Sequence, residues 1–143
     1  MRGFLIVMAM LWAGMAQAWE EPARGTATRS ALMDALRPHA EWMLGAPVEF
    51  VIHDLRRAGD LAFASVYAQR PGGAEIDIAR TRGAATGLLD PEFMDGTSLQ
   101  ALYRKSGDTW VAVHWAIGAT DVWYADPALC ADYVAVIPDA CGG

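Results

Sequence analysis

Val48-Glu49-Phe50-Val51-Ile52-His53-Asp54-Leu55-Arg56-Arg57-Ala58-Gly59-Asp60-Leu61-Ala62-Phe63-Ala64-Ser65-Val66-Tyr67-Ala68-Gln69 is the stretch that decides the fold. On either side of Ala58-Gly59-Asp60 the period is two. Val48, Phe50 and Ile52 alternate with Glu49, Val51 and His53 in a run that ends near Arg56. Leu61, Phe63, Ser65 and Tyr67 then alternate with the smaller Ala62, Ala64, Val66 and Ala68 as far as Gln69. Alternation puts successive side chains on opposite faces of a strand, and Gly-Asp is turn chemistry, so the stretch predicts an antiparallel hairpin.

Upstream, the period lengthens to that of a helix. Leu32, Leu36, Ala40 and Met43 recur at helical spacing after Thr28, a residue type that caps helix N-termini, and Arg29 to Leu44 reads as one amphipathic helix. Pro38 lies inside it, lacks an N–H and crowds the carbonyl of Asp34, which predicts a kink or a break into two helices. Gly45 and then Pro47 supply the stop.

Downstream, a second hairpin is expected from Leu99 to Ile117. With a three-residue turn at Ser106-Gly107-Asp108, Leu99, Ala101 and Tyr103 share a face with Val111, Val113, Trp115 and Ile117, and no charge is buried. The other face then opposes Arg104 to Trp110 and Gln100 to His114. Between the hairpins, a short strand is expected at Glu75 to Arg80, followed by an irregular stretch whose Leu88, Leu89 and Phe93 pack on the core. Asp126-Pro127 starts a short helix that runs to about Tyr133, and a tail follows. The fold class is α+β: an N-terminal helix packed on a curved antiparallel sheet of four to five strands, with a short C-terminal helix and a disulfide-tied tail.

The first eighteen residues read differently. One positive charge, Arg2, precedes the uncharged run Gly3 to Ala16 and an Ala16-Gln17-Ala18 site, and this is the pattern of a signal peptide cleaved after Ala18. The run is too short to cross a hydrocarbon core, which needs about twenty residues. Residues 19–143 are then a single domain, periplasmic or secreted and free of the membrane after cleavage. In that oxidising setting Cys130 and Cys141, the only two cysteines, are expected to pair, tying down the tail between them. A zinc site is the rival reading, but two thiols with no nearby histidine make a poor one.

The chain carries 11 basic and 17 acidic residues, and the leader takes away Arg2 and no acid. The basic residues that remain are scattered along the chain. Without a basic patch there is no footprint for phosphate, so nucleic acid is not expected as a partner.

Leu36-Arg37-Pro38, Gly45-Ala46-Pro47-Val48-Glu49-Phe50, Gly59-Asp60-Leu61-Ala62-Phe63, and Leu102-Tyr103-Arg104 through Trp110-Val111 resemble small exported bacterial proteins of unknown function. The order of one helix and then consecutive antiparallel strands resembles the cystatin-like and nuclear-transport-factor-like folds. The resemblance implies a fold and a compartment. It implies no catalytic residue, because its motifs are packing and turn motifs.

Candidate functional residues therefore come from side-chain chemistry alone. His53 and His114 could bind a metal or act as acid and base if their strands were neighbours; the alternative is two unconnected sheet histidines. Tyr67, Tyr103, His114 and Asp121 are candidates for a polar ligand pocket, although Thr120-Asp121 reads equally as a turn or helix cap. Trp123 and Tyr124 are candidates for a protein-binding patch or, more simply, core. Asp90, Glu92 and Asp95 lack the spacing of a calcium loop. No serine stands in a nucleophile elbow, and paired cysteines leave no thiolate. No metal or cofactor is implied.

Two functions follow. One is an exported non-enzymatic domain that binds a protein or small-molecule partner. The other is a nuclear-transport-factor-like isomerase, dehydratase or hydrolase using His114 and Asp121. A deep conical cavity lined by those two side chains favours the enzyme, and a filled core with exposed Trp123 and Tyr124 favours binding.

Overall fold

Thr26 rather than Thr28 opens the first helix, α1 (Ala27–Leu44): its hydroxyl accepts from the Arg29 amide at 3.4 Å. The computed structural model describes residues 18–142, so the expected leader lies outside the described residues except for Ala18. Pro38 does not divide α1, which continues through it. Leu32, Leu36, Ala40 and Leu44 are buried against the sheet on both sides of the proline, and this shared packing surface holds the two halves on one axis. Gly45, with φ at +82°, ends the helix in a conformation that side chains disfavour. The Arg70 guanidinium, from beyond the first hairpin, then donates to the carbonyls of Leu44 (2.8 Å), Gly45 and Pro47 (3.0 Å). That long-range cap satisfies helix-end groups that local sequence leaves open.

The sheet is a four-stranded antiparallel meander, in the order β1 (Glu49–Ala58), β2 (Leu61–Gln69), β3 (Ser98–Ser106) and β4 (Thr109–Ile117). Both hairpins close on two residues, Gly59-Asp60 and Gly107-Asp108, with the glycine at positive φ and the aspartate not. This is the type II′ pattern, whose twist matches that of the strands. The three-residue turn expected at Ser106 to Asp108 is thus corrected to two, with Ser106 opposite Thr109.

The parity conflict that a two-residue turn creates is resolved by a bulge. Tyr103 faces Ala112 and Leu102 faces His114, so Val113 is the extra residue. The bulge lets Trp110, Ala112 and Ile117 all face the helix beside Leu99, Ala101 and Tyr103, with Trp115 packed against them, while Val111 and Val113 stay exposed. The expected cross-strand pairs change accordingly. Gln100 lies opposite Ala116, Arg104 opposite Val111, and Trp110 opposite Lys105, whose ammonium sits 5.8 Å from the indole. A second bulge at His53 keeps Phe50, Ile52 and Leu55 on one side of β1.

Both faces of the sheet are used. On the helix side β2 presents Ala62, Ala64, Val66 and Ala68, small enough for α1 to lie close. On the opposite side Phe63 and Leu102 are covered by Tyr133, Val136 and Ile137. These come from α3 (Pro127–Tyr133), capped by Asp126, and from the tail behind it. Cys130 and Cys141 form a disulfide that closes this layer.

Arg56 joins the tail to the sheet. It pairs with Asp54 and Asp139, each at 2.6 Å, donates to the Val136 carbonyl at 3.2 Å, and lies 4.6 Å from the Trp19 ring. Burial opposes its charge, but the hydrogen bonds to Asp139 and Asp54 outweigh that and raise its pKa. Glu20 adds a backbone bridge to Arg57 on the outer edge of β1.

No strand forms at Glu75 to Arg80. Instead Ile78–Arg80 makes a 3₁₀ turn, and α2 (Arg82–Ala85) follows, capped by Thr81. In the meander β2 and β3 already have partners on both sides; α2 packs on the end of α1, with Arg82 3.7 Å from the Trp42 ring, and Ile76 joins the helix-side core. Gly83 sits so close to Leu89 that a Cβ there would come within 2.5 Å of its side chain. Leu89 is buried as expected, but Leu88 and Phe93 are exposed, 66% and 75%. Among the described residues no helix is long and apolar enough to cross a membrane.

Candidate functional site

Strand order disposes of the histidine pair. His53 is on β1 and His114 on β4, the two outer strands, with β2 and β3 between them. Each instead meets a tyrosine edge-on: His53 lies 6.3 Å from Tyr67 and His114 lies 5.9 Å from Tyr133. Among the described residues, no three metal-ligating side chains cluster.

The Tyr67 cleft takes in none of the other three pocket candidates. Tyr103 is fully buried on the helix side, its hydroxyl has no partner among the described residues, and burial lifts its pKa far above the usual phenol value. Tyr67 is 40% exposed and points to the opposite side of the sheet. In the β2–β3 register Tyr67 lies beside Ser98, and Tyr103 beside Ala62, five positions away or roughly 17 Å along the strands. His114 is exposed on β4, and Asp121 is exposed in the bend that follows it. The caps of α3 and of the preceding 3₁₀ turn are Asp126 and Val122, so Asp121 caps neither.

Trp123 and Tyr124 are half-buried in the layer over Phe63, with Tyr124 and Phe63 rings 5.0 Å apart. Burial, and then the nearby Asp139 carboxylate, raise the Tyr124 pKa. These two aromatics are walls of the second core rather than a free patch. The Trp123 indole N–H is buried without a partner among the described residues.

Of the candidates, Tyr67 lines a cleft. A depression of about 400 Å³ opens where β2 ends, bounded by Tyr67, Gln69, Glu75, Gly96 and Thr97 over Ile76 and Ile78. Gly96, at φ +53°, permits the Tyr67 hydroxyl to lie against the backbone, because a Cβ there would fall 2.1 Å from it. Thr97 donates its hydroxyl to the Ala68 carbonyl, and Gln69 donates to Glu49 at 3.1 Å. Glu75, Ile76, Ile78 and Gly96 were not among the site candidates, Glu75 to Arg80 being expected as a strand. Glycine at 72, 73 and 96 flanking Tyr67 and Thr97 was the available signal, since backbone that crosses close to an aromatic needs glycine. A second depression, of about 430 Å³, lies between Arg24, Arg29 and the Phe50–Ile52 edge of β1.

No protein-family model matches the chain, and neither a curated protein nor a solved structure matches it.

Proposed function

We propose that the protein is an exported, non-enzymatic binding domain of cystatin-like or nuclear-transport-factor-like architecture, released by cleavage after Ala18, whose small-molecule site is the Tyr67 cleft. The observation that supports this is that the cleft takes in none of the titratable candidates except Tyr67. His114 and Asp121 are not among the residues lining the Tyr67 cleft, and Tyr103 is sealed in the helix-side core. Acid–base catalysis needs its groups within hydrogen-bond reach of one substrate. A cleft of a few hundred Å³ with an apolar floor and a few polar groups is instead what a small-ligand site requires. The Cys130–Cys141 pairing is compatible with an exported protein.

The test is a chemically mixed fragment panel followed by amide NMR shifts on the exported protein. Saturable shifts clustered at Tyr67–Gln69, Gly73–Ile76 and Gly96–Thr97 are expected. Clustering at His114 and Asp121 would favour the isomerase, dehydratase or hydrolase reading, and no clustering would overturn the site. N-terminal sequencing is expected to begin at Trp19; a chain beginning at Met1 would contradict the export reading.

A further inference from the structure

Hydrogen-bonding capacity in the Tyr67 cleft is one-sided. Thr97 commits its only side-chain proton to Ala68 and Gln69 commits one N–H to Glu49, so the side-chain donors left are the Tyr67 O–H and the second Gln69 N–H, outnumbered by the oxygen lone pairs of Glu75, Gln69, Thr97 and Tyr67. Glu75 is exposed and, among the described residues, enters no ion pair. A carboxylate accepts and donates nothing. The lining contains no Lys, Arg or His. Asp77 and Asp95 adjoin lining residues in sequence, as does Arg70, whose guanidinium is committed to the carbonyls of Leu44, Gly45 and Pro47, and the whole chain has a net charge of −6. The field at the cleft therefore favours positive charge. Below these acceptors lie Ile76 and Ile78, and the half-exposed Tyr67 ring forms one wall.

We propose that the cleft binds an alkyl cation, an ammonium or guanidinium on an aliphatic stem. This rests on the reading of the cleft as a ligand site. Glu75 is the counter-ion, the carboxamide oxygen of Gln69 and the Tyr67 hydroxyl accept from the cation's N–H groups, and Ile76 with Ile78 covers the stem. The Tyr67 face adds attraction for a cation placed over it. Free alkylamines and the lysine or arginine side chain of a protein carry the same chemistry.

The experiment titrates the exported protein with n-butylamine, n-butylguanidine, 1-butanol, pentanoate and a capped Gly-Gly-Arg-Gly-Gly peptide, following backbone amide shifts. Salt near physiological strength, where the screening length is about 8 Å, suppresses general attraction to the acidic surface. Both cations are expected to give saturable shifts in the cleft that 1-butanol and pentanoate do not. Glu75→Gln is expected to weaken cation binding about ten- to a hundredfold, as loss of a hydrogen bond to a charged group does. Glu75 is exposed, so this variant keeps the fold, and Tyr67→Leu, expected to weaken binding by less, provides a second readout.

Tighter binding of the peptide than of either free cation assigns the source to a partner's side chain, and the reverse assigns it to a small molecule. Equal saturable shifts with pentanoate or 1-butanol would overturn the cationic class and leave the cleft as a ligand site. Cation shifts unaffected by Glu75→Gln would also overturn the proposal. No saturable shift with any probe would overturn both readings.

Discussion

The two faces of the sheet are built on opposite plans. On one, a line of alanines and Val66 from β2 receives an 18-residue helix, and the buried side chains run without interruption from Leu32 to Ile117. On the other, Phe63 and Leu102 receive only a seven-residue helix and a short tail, held by one disulfide and by Arg56. The difference teaches where stability resides. The helix side rests on apolar area removed from water, whereas the tail side needs a covalent tie and a charged clamp because its covering segment is too short to hold itself.

Substitutions should reveal that asymmetry in order of size. Leu36→Ala empties a fully buried position on the helix side and is expected to cost about 2–5 kcal/mol, as cavity-forming changes do. Urea unfolding followed by far-UV circular dichroism measures it; a loss under about 1 kcal/mol would mean the helix side is loosely packed. Replacing Cys130 and Cys141 with serine is expected to cost roughly 2–3 kcal/mol, with the loss of amide protection concentrated in residues 127–141. Protection lost evenly over the chain would erase the distinction between the faces.

Arg56→Ala should cost less, about 1–2 kcal/mol, at the low end for a lost charged pair because Asp139 is largely exposed. Its readout is the near-ultraviolet signal of Trp19, whose ring lies 4.6 Å from the guanidinium. Acid gives the smallest effect. The Arg56 hydrogen bond, partly opposed by desolvation, holds the Asp139 carboxyl below its ordinary value of 3.8. That contribution is complete above the ordinary value and disappears as pH falls through the lowered folded one, so the tail should loosen below about pH 4. A tail signal that is flat across this range would remove Asp139 from the clamp.

Legibility in the sequence divides along the same line between local and distant causes. Leu32, Leu36, Ala40 and Met43 announce a helix, and the alternations around Gly59 and Gly107 announce hairpins, because those patterns are written within one element. The bulges at His53 and Val113 were not legible. Each is one unpaired residue whose place is decided by what the neighbouring strand and the helix must bury. Arg70 capping a helix that ends 26 residues earlier escapes any local rule, and so does the packing of α2 on α1 with a 3₁₀ turn at Ile78–Arg80 where a strand was expected. Tyr67 was legible as a candidate because an aromatic at a strand end is conspicuous. Its companions Glu75 and Gly96 come from separate loops that only the folded chain brings together.

Native-state hydrogen exchange on the oxidised and the reduced protein tests the central claim most directly, because it reads the two faces separately in one molecule. Reduction is expected to release the amides of Val134, Val136 and Ile137, while those of Leu32 to Leu44 and Ala62 to Ala68 keep their protection. If both sets lose protection together, or neither changes, the sheet does not carry two separately held layers.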